Sequence, residues 1–90
     1  MNDFERIRAI NTDYDMGLGF DSMKKGITIA HERFGGDLFL GLLWIDAASL
    51  AISVGKNLPV DQRQEARNRW NDDHARSHKD RLIARKAQDT

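Results

Sequence analysis

The amino-acid sequence predicts an all-α fold, a small bundle-like packing of about four helices around a central hydrophobic helix. Three observations carry this expectation. Apolar residues recur three and four apart in separate segments. Glycine and Asx residues punctuate those segments at their ends. The one short alternating run, Gly26-Ile27-Thr28-Ile29, has no second strand pattern to pair with.

The first helix is expected to start at Asn2, where Asn2-x-x-Glu5 fits a capping box, and to carry Phe4, Ile7 and Ile10 on one face. Two glycines and several Asx residues make Asn11–Gly19 a loop, with Tyr14 and Leu18 as anchors. A second helix follows from Asp21 or Ser22 to Phe34. Phe20, Met23, Ile27, Ala30 and Phe34 share one face of it, and Gly35 supplies the stop. Asp37 caps a third helix, Leu38 to Val54, closed by Gly55. Apolar side chains surround most of its circumference, leaving a narrow stripe of Asp46, Ser49 and Ser53. Such a helix belongs at the centre of a bundle. The fourth helix starts near Asn57-Leu58-Pro59-Val60, with Asn57 as the expected cap and proline tolerated in the first turn. It is expected to run to about Ala87, with Asn71-Asp72-Asp73 as the place where it could break.

One domain over residues 1–90 is expected, divided into an apolar helical part, 1–58, and a charged C-terminal helix, 59–87. The expected core is Phe4, Ile7, Ile10, Met23, Ile27, Ala30, Phe34, Phe39, Leu42, Leu43, Ile45, Leu50, Ile52, Val54 and Trp70. The chain has 14 Lys+Arg against 14 Asp+Glu and no cysteine. Zero net charge argues against a bulk polyanion binder or a nucleic-acid mimic. Zero cysteine excludes a disulfide scaffold, a thiol nucleophile and a Cys-ligated metal. The apolar stretch 38–54 spans about 26 Å as a helix, short of a ~30 Å hydrocarbon core, and the N-terminus lacks a signal-peptide pattern. A cytoplasmic protein with no membrane partner is the expectation.

The most informative pattern lies on the fourth helix. At about 100° per residue, Arg63, Arg67, Trp70, His74, His78, Arg81 and Arg85 fall in one sector. Asp61, Glu65, Asp72, Asp73 and Asp80 fall on the opposite half, beside Arg69, Arg76 and Lys79. Arginine suits bidentate contact with carboxylate or phosphate, and tryptophan can anchor a partner. The bland alternative is that Trp70 plugs the helix onto the core while arginine stems cover apolar neighbours.

Other candidate chemistry is weaker. His74 and His78 stand at i and i+4, as two zinc ligands would, but Ala75 occupies the place of a metalloprotease glutamate, and no metal or other cofactor is expected. Asn11-Thr12-Asp13-Tyr14-Asp15 opens like a calcium loop, yet Met16 and Ser22 stand where glycine and glutamate are required. Gly17-Leu18-Gly19 and Gly35-Gly36 lack the lysine and strand of a phosphate loop. Asp46 is read as structural or solvent-facing.

Ala51 and Gly55 have the four-residue spacing found around a helix-turn-helix turn, and Gln62 and Gln64 follow it. That stretch resembles a helix-turn-helix, which implies nucleic-acid binding as the alternative function. In size, helical character and lack of cysteine the chain is similar to small phage-encoded proteins, anti-CRISPR inhibitors among them. No catalytic residue is assigned. The first expectation is a protein-interaction module, an inhibitor or adaptor, that binds a protein partner through the arginine face. Self-association as a dimer is also expected, because the third helix carries more apolar circumference than short neighbours cover.

Overall fold

The computed structural model describes residues 2–89; residues 1 and 90 of the expected domain lie outside it. It is all-α: α1 (Asp3–Asp13), α2 (Phe20–Arg33), α3 (Leu38–Ala48) continued by a 3-10 turn (Ser49–Ser53), and α4 (Val60–Gln88). No single helix among the described residues is long and apolar enough to cross a membrane.

Local chemistry sets most boundaries. The Asn2 side chain accepts the Glu5 amide at 2.8 Å and so caps α1. That helix extends to Asp13, further than its apolar pattern. The expected loop narrows to 14–19, because the Asn11 carboxamide is recruited to brace it. Its Nδ2 donates to the Leu18 carbonyl at 2.9 Å, and its Oδ1 accepts the Leu18 amide at 3.0 Å. Tyr14 anchors the loop against Phe39, with ring centroids 4.5 Å apart. After α2 the chain enters the left-handed region at Gly35, φ 59°, and the Gly36 amide returns to the Ala30 carbonyl at 2.8 Å. Asp37 then caps α3 by accepting the Leu40 amide at 3.1 Å. From α2 to α3 and its 3-10 continuation the chain turns through 115°.

α3 is the centre of the molecule. Leu38, Phe39, Gly41, Leu42, Leu43, Trp44 and Ala47 are all buried. Ile7, Met23, Ala30, Leu38 and Leu42 form one core cluster; Phe39, Leu43, Trp44 and Ala75 form the other. α2 crosses α3 at a backbone-to-backbone contact. A Cβ at Gly41 would run into the Gly26 carbonyl oxygen and sit 2.8 Å from the Ala30 Cβ. Only glycine allows that approach.

The expected third helix is corrected at its C-terminal end. The α-helix stops at Ala48, and the tighter turn that follows buries Ala51 while turning Leu50 and Ile52 outward. Leu50 and Ile52 are therefore not core. Phe4, Ile10, Ile27, Phe34, Ile45, Val54 and Trp70 are only partly buried. Of the apolar circumference that motivated a dimer, Leu40 and Ile45 on α3 stay partly buried, and the exposed Leu50 and Ile52 sit beyond its end.

α4 is one unbroken helix through Asn71-Asp72-Asp73. Asn57 does not cap it; Pro59 occupies that position, and no side chain caps the first turn. Asp72 does not start a new helix, because its carboxylate is held by tertiary partners. Arg33 Nε and Nη2 donate to its two oxygens at 2.7 Å each, and Trp44 Nε1 donates at 2.9 Å. This one carboxylate joins α2, α3 and α4.

Candidate functional site

The packing face of α4 decides what its other sides can do. Asn71 and Ala75 are buried and Leu82 packs against the second core cluster. Lys79 Nζ donates to the Asp37 carboxylate at 2.6 Å, which fastens α4 to the cap of α3. Lys86 Nζ donates to the Asp13 carbonyl at 3.1 Å and lies 4.6 Å from the Tyr14 ring centroid. Arg76 lies 5.2 Å from the Phe34 ring centroid. Two residues expected on the acidic half, Asp72 and Lys79, thus belong to the docking surface instead. Locally paired charges remain at Arg69–Glu65, 3.3 Å, and Arg76–Asp73, 3.9 Å.

The arginine stripe is a shoulder of that packing face. Its centre lies about 80° around the helix from the line of Asn71, Ala75 and Leu82, by the helical repeat. The seven residues share the sector, but they do different things. Arg63 Nε donates to the Leu58 carbonyl at 3.0 Å, and Arg67 Nη2 donates to the Ile52 carbonyl at 2.9 Å. Both brace the segment that enters α4. One turn apart, Arg67 Nε and Asn71 Oδ1 are buried without hydrogen-bond partners.

Next along the shoulder comes a run of rings. Trp70 stacks on His74 with centroids 4.9 Å apart and planes 19° apart. His74 meets His78 edge-on at 5.7 Å. All three are partly buried, so Trp70 is neither a core plug nor a free anchor. Burial holds the His78 imidazole below its ordinary pKa, helped by the charges of Arg81, His74 and Arg85. Asp46, exposed on α3, pulls the other way. At the C-terminal end Arg81 and Arg85 are exposed, and neither side chain forms an ion pair or hydrogen bond with another described residue.

The acidic residues tied to α4 contrast with this. Asp72 lies below the usual carboxylate range because Arg33 donates to it, with burial opposing and Trp44 assisting. Burial pushes Asp37 up, but hydrogen bonds from Lys79 and the Leu40 amide together outweigh it and hold its carboxyl low.

Among the described residues no group of three or more His, Asp or Glu side chains is placed to hold a metal ion. Asn11 is committed to Leu18 and does not join Asp13 and Asp15 as a ligand set. Sequence reasoning missed the roles of Asp72 and Lys79, whose partners lie 39 and 42 residues away. It also missed the exposed apolar residues Leu50, Ile52, Leu58 and Val60 beside the stripe. A signal for these existed: Leu58-Pro59-Val60 is apolar where a helix entry is usually polar. The chain matches no known protein family, no curated protein and no solved structure.

Proposed function

We propose that this protein is a non-enzymatic helical interaction module. It binds a protein partner through the shoulder of α4 formed by Trp70, His74, His78, Arg81 and Arg85. One observation supports this above the others. α4 neutralises or anchors most of its cations, yet Arg81 and Arg85 stay exposed and unpaired beside a continuous run of rings. Guanidinium groups next to aromatic surface suit a partner with carboxylates around an apolar or aromatic centre. Arg63 and Arg67 serve the fold first and contribute to binding second.

The test is a pull-down from the native host with the wild-type chain and with the pair Arg81→Glu and Arg85→Glu. A protein captured by the wild type, resistant to nuclease and lost with the pair, is the expected result. Circular dichroism must show the pair folded. Equal capture by the folded pair sinks the reading. Capture that disappears with nuclease, and weakens log-linearly with salt, assigns the surface to nucleic acid instead.

A further inference from the structure

We infer that His74 and His78 form a two-imidazole chelate for a divalent transition-metal cation, Zn(II) or Cu(II), with water completing its coordination. The site uses two side chains of the proposed interaction surface, but it does not depend on which protein docks there.

The helical repeat sets the two rings one turn apart on one face of α4. Their centroids lie 5.7 Å apart, with planes at 86°. A metal at the usual nitrogen distance of about 2.0–2.1 Å, with tetrahedral angles, places two imidazole centroids about 5.3 Å apart. The two separations differ by a few tenths of an ångström, which side-chain torsion closes without moving the helix.

Both rings are also available. Neither forms a hydrogen bond or ion pair with another described residue. None of their nitrogens is among the buried unpartnered atoms of the fold, so all four are open to solvent. The third histidine differs: His31 Nε2 lies 2.6 Å from an Asp3 carboxylate oxygen. The two histidines without a polar protein partner are therefore the two near chelating distance. Trp70 prepares one of them. It stacks on His74 with centroids 4.9 Å apart and planes 19° apart, and so covers a face of that ring. A metal bonds in the ring plane, at the edge, and the stack leaves that edge open while it holds the orientation. Less rotamer freedom is then lost on binding.

The donors select the cation. Imidazole nitrogen suits zinc and copper, whereas magnesium and calcium take oxygen ligands. The charged side chains acting on His78 are Arg81 and Arg85, which oppose a cation, and Asp46 on α3, which attracts one. Two cations against one carboxylate give no field that gathers cations in general. The metal–nitrogen bonds must carry the affinity, so a hard cation has nothing to hold it.

The experiment titrates the full chain with CuCl2, ZnCl2 and MgCl2 in separate runs. Tryptophan fluorescence reads copper, because Cu(II) quenches a nearby indole and Trp70 stacks on a ligand. Calorimetry reads zinc and magnesium. One equivalent of Cu(II) and of Zn(II) should bind, copper at least about tenfold tighter, and Mg(II) should not bind. Zn(II) should shift the ring-proton NMR signals of His74 and His78 together and leave those of His31 in place. His74→Gln and His78→Gln should each weaken both metals at least about tenfold, since loss of an outer-shell partner alone costs that much. His31→Gln should change neither affinity. Circular dichroism checks that each variant is folded, and the wild-type NMR shifts decide if a glutamine variant is not. No saturable binding of either transition metal overturns the inference. So does binding that survives both folded glutamine variants, a shift at His31 without one at the pair, or equal binding of Mg(II). Each of these leaves the interaction reading standing, because that reading is tested by protein capture without added metal.

Discussion

Two sides of α4 carry similar residues to different ends. On the packing side, charged groups are fixed by partners distant in sequence: Asp72 by Arg33 and Trp44, Lys79 by Asp37, Lys86 by the Asp13 carbonyl. On the shoulder, Arg81 and Arg85 have no such partner, and the rings of Trp70, His74 and His78 lie between them and the braced Arg67. Composition does not separate these two sides. What separates them is which residues the core of α3 can reach. A helix with little apolar surface of its own is held by polar contacts on one side, which leaves the other side free for something else.

The sharpest way to break this comparison is at its anchored side. Asp72→Ala leaves a half-buried guanidinium and the Trp44 N–H without their acceptor, and should cost about 2–4 kcal/mol in urea denaturation. A loss below about 0.5 kcal/mol, the range of ordinary surface substitutions, would show that α4 is not held there.

Acid should act through the same contacts. Asp72 and Asp37 have folded-state values below the ordinary 3.8, so their stabilisation is complete above that pH. It is lost as pH falls through the lowered folded-state values, where the native carboxylates take up protons. The denaturation midpoint should therefore decline below pH 3.8, with a shallower slope in Asp72→Asn.

How much of this was legible in the sequence follows from the range of each interaction. The caps at Asn2 and Asp37 and the stop at Gly35 could be read because their partners lie within one turn. The centrality of Leu38–Ala47 could be read from hydropathy. The end of α3 at Ala48 could not, because the next residues are still apolar. There the turn buries Ala51, and Arg67 takes the Ile52 carbonyl, so tertiary contacts accompany the tighter winding. The shoulder was legible as a sector, since periodicity fixes angle. Its division into bracing and exposed arginines was not, because that depends on which carbonyls lie beneath each one.

Smaller effects sharpen the division along the shoulder. Arg67→Ala should cost about 1 kcal/mol, the worth of a typical hydrogen bond, and free the 3-10 turn to exchange amide hydrogens faster. Unchanged exchange at Ser53 and Val54 would remove its bracing role. His78 should titrate below its ordinary 6.5 in NMR, so the unfolded chain protonates first as pH falls through that value and stability declines slightly. A partner carboxylate beside it would favour the protonated ring, so binding should tighten over the same interval. A His78 that titrates at or above 6.5 contradicts the crowding by Arg81, His74 and Arg85. Smallest of all, Arg81→Glu with Arg85→Glu should shift stability by less than about 0.5 kcal/mol, as expected at an exposed, unpaired surface. A larger loss would place both arginines on the anchored side.

Asn11 has a consequence for how this chain tolerates variation. Its carboxamide pairs with the backbone of residue 18, donating to one atom and accepting from another, as a neighbouring peptide group would. Aspartate at 11 could accept but not donate, and would set its charge against the Leu18 carbonyl. The partner is main chain, so no side-chain change at 18 can compensate for a change at 11. A library randomised at both positions should return asparagine at 11 almost alone, alongside several apolar residues at 18. The two positions would touch in space and yet show no covariation.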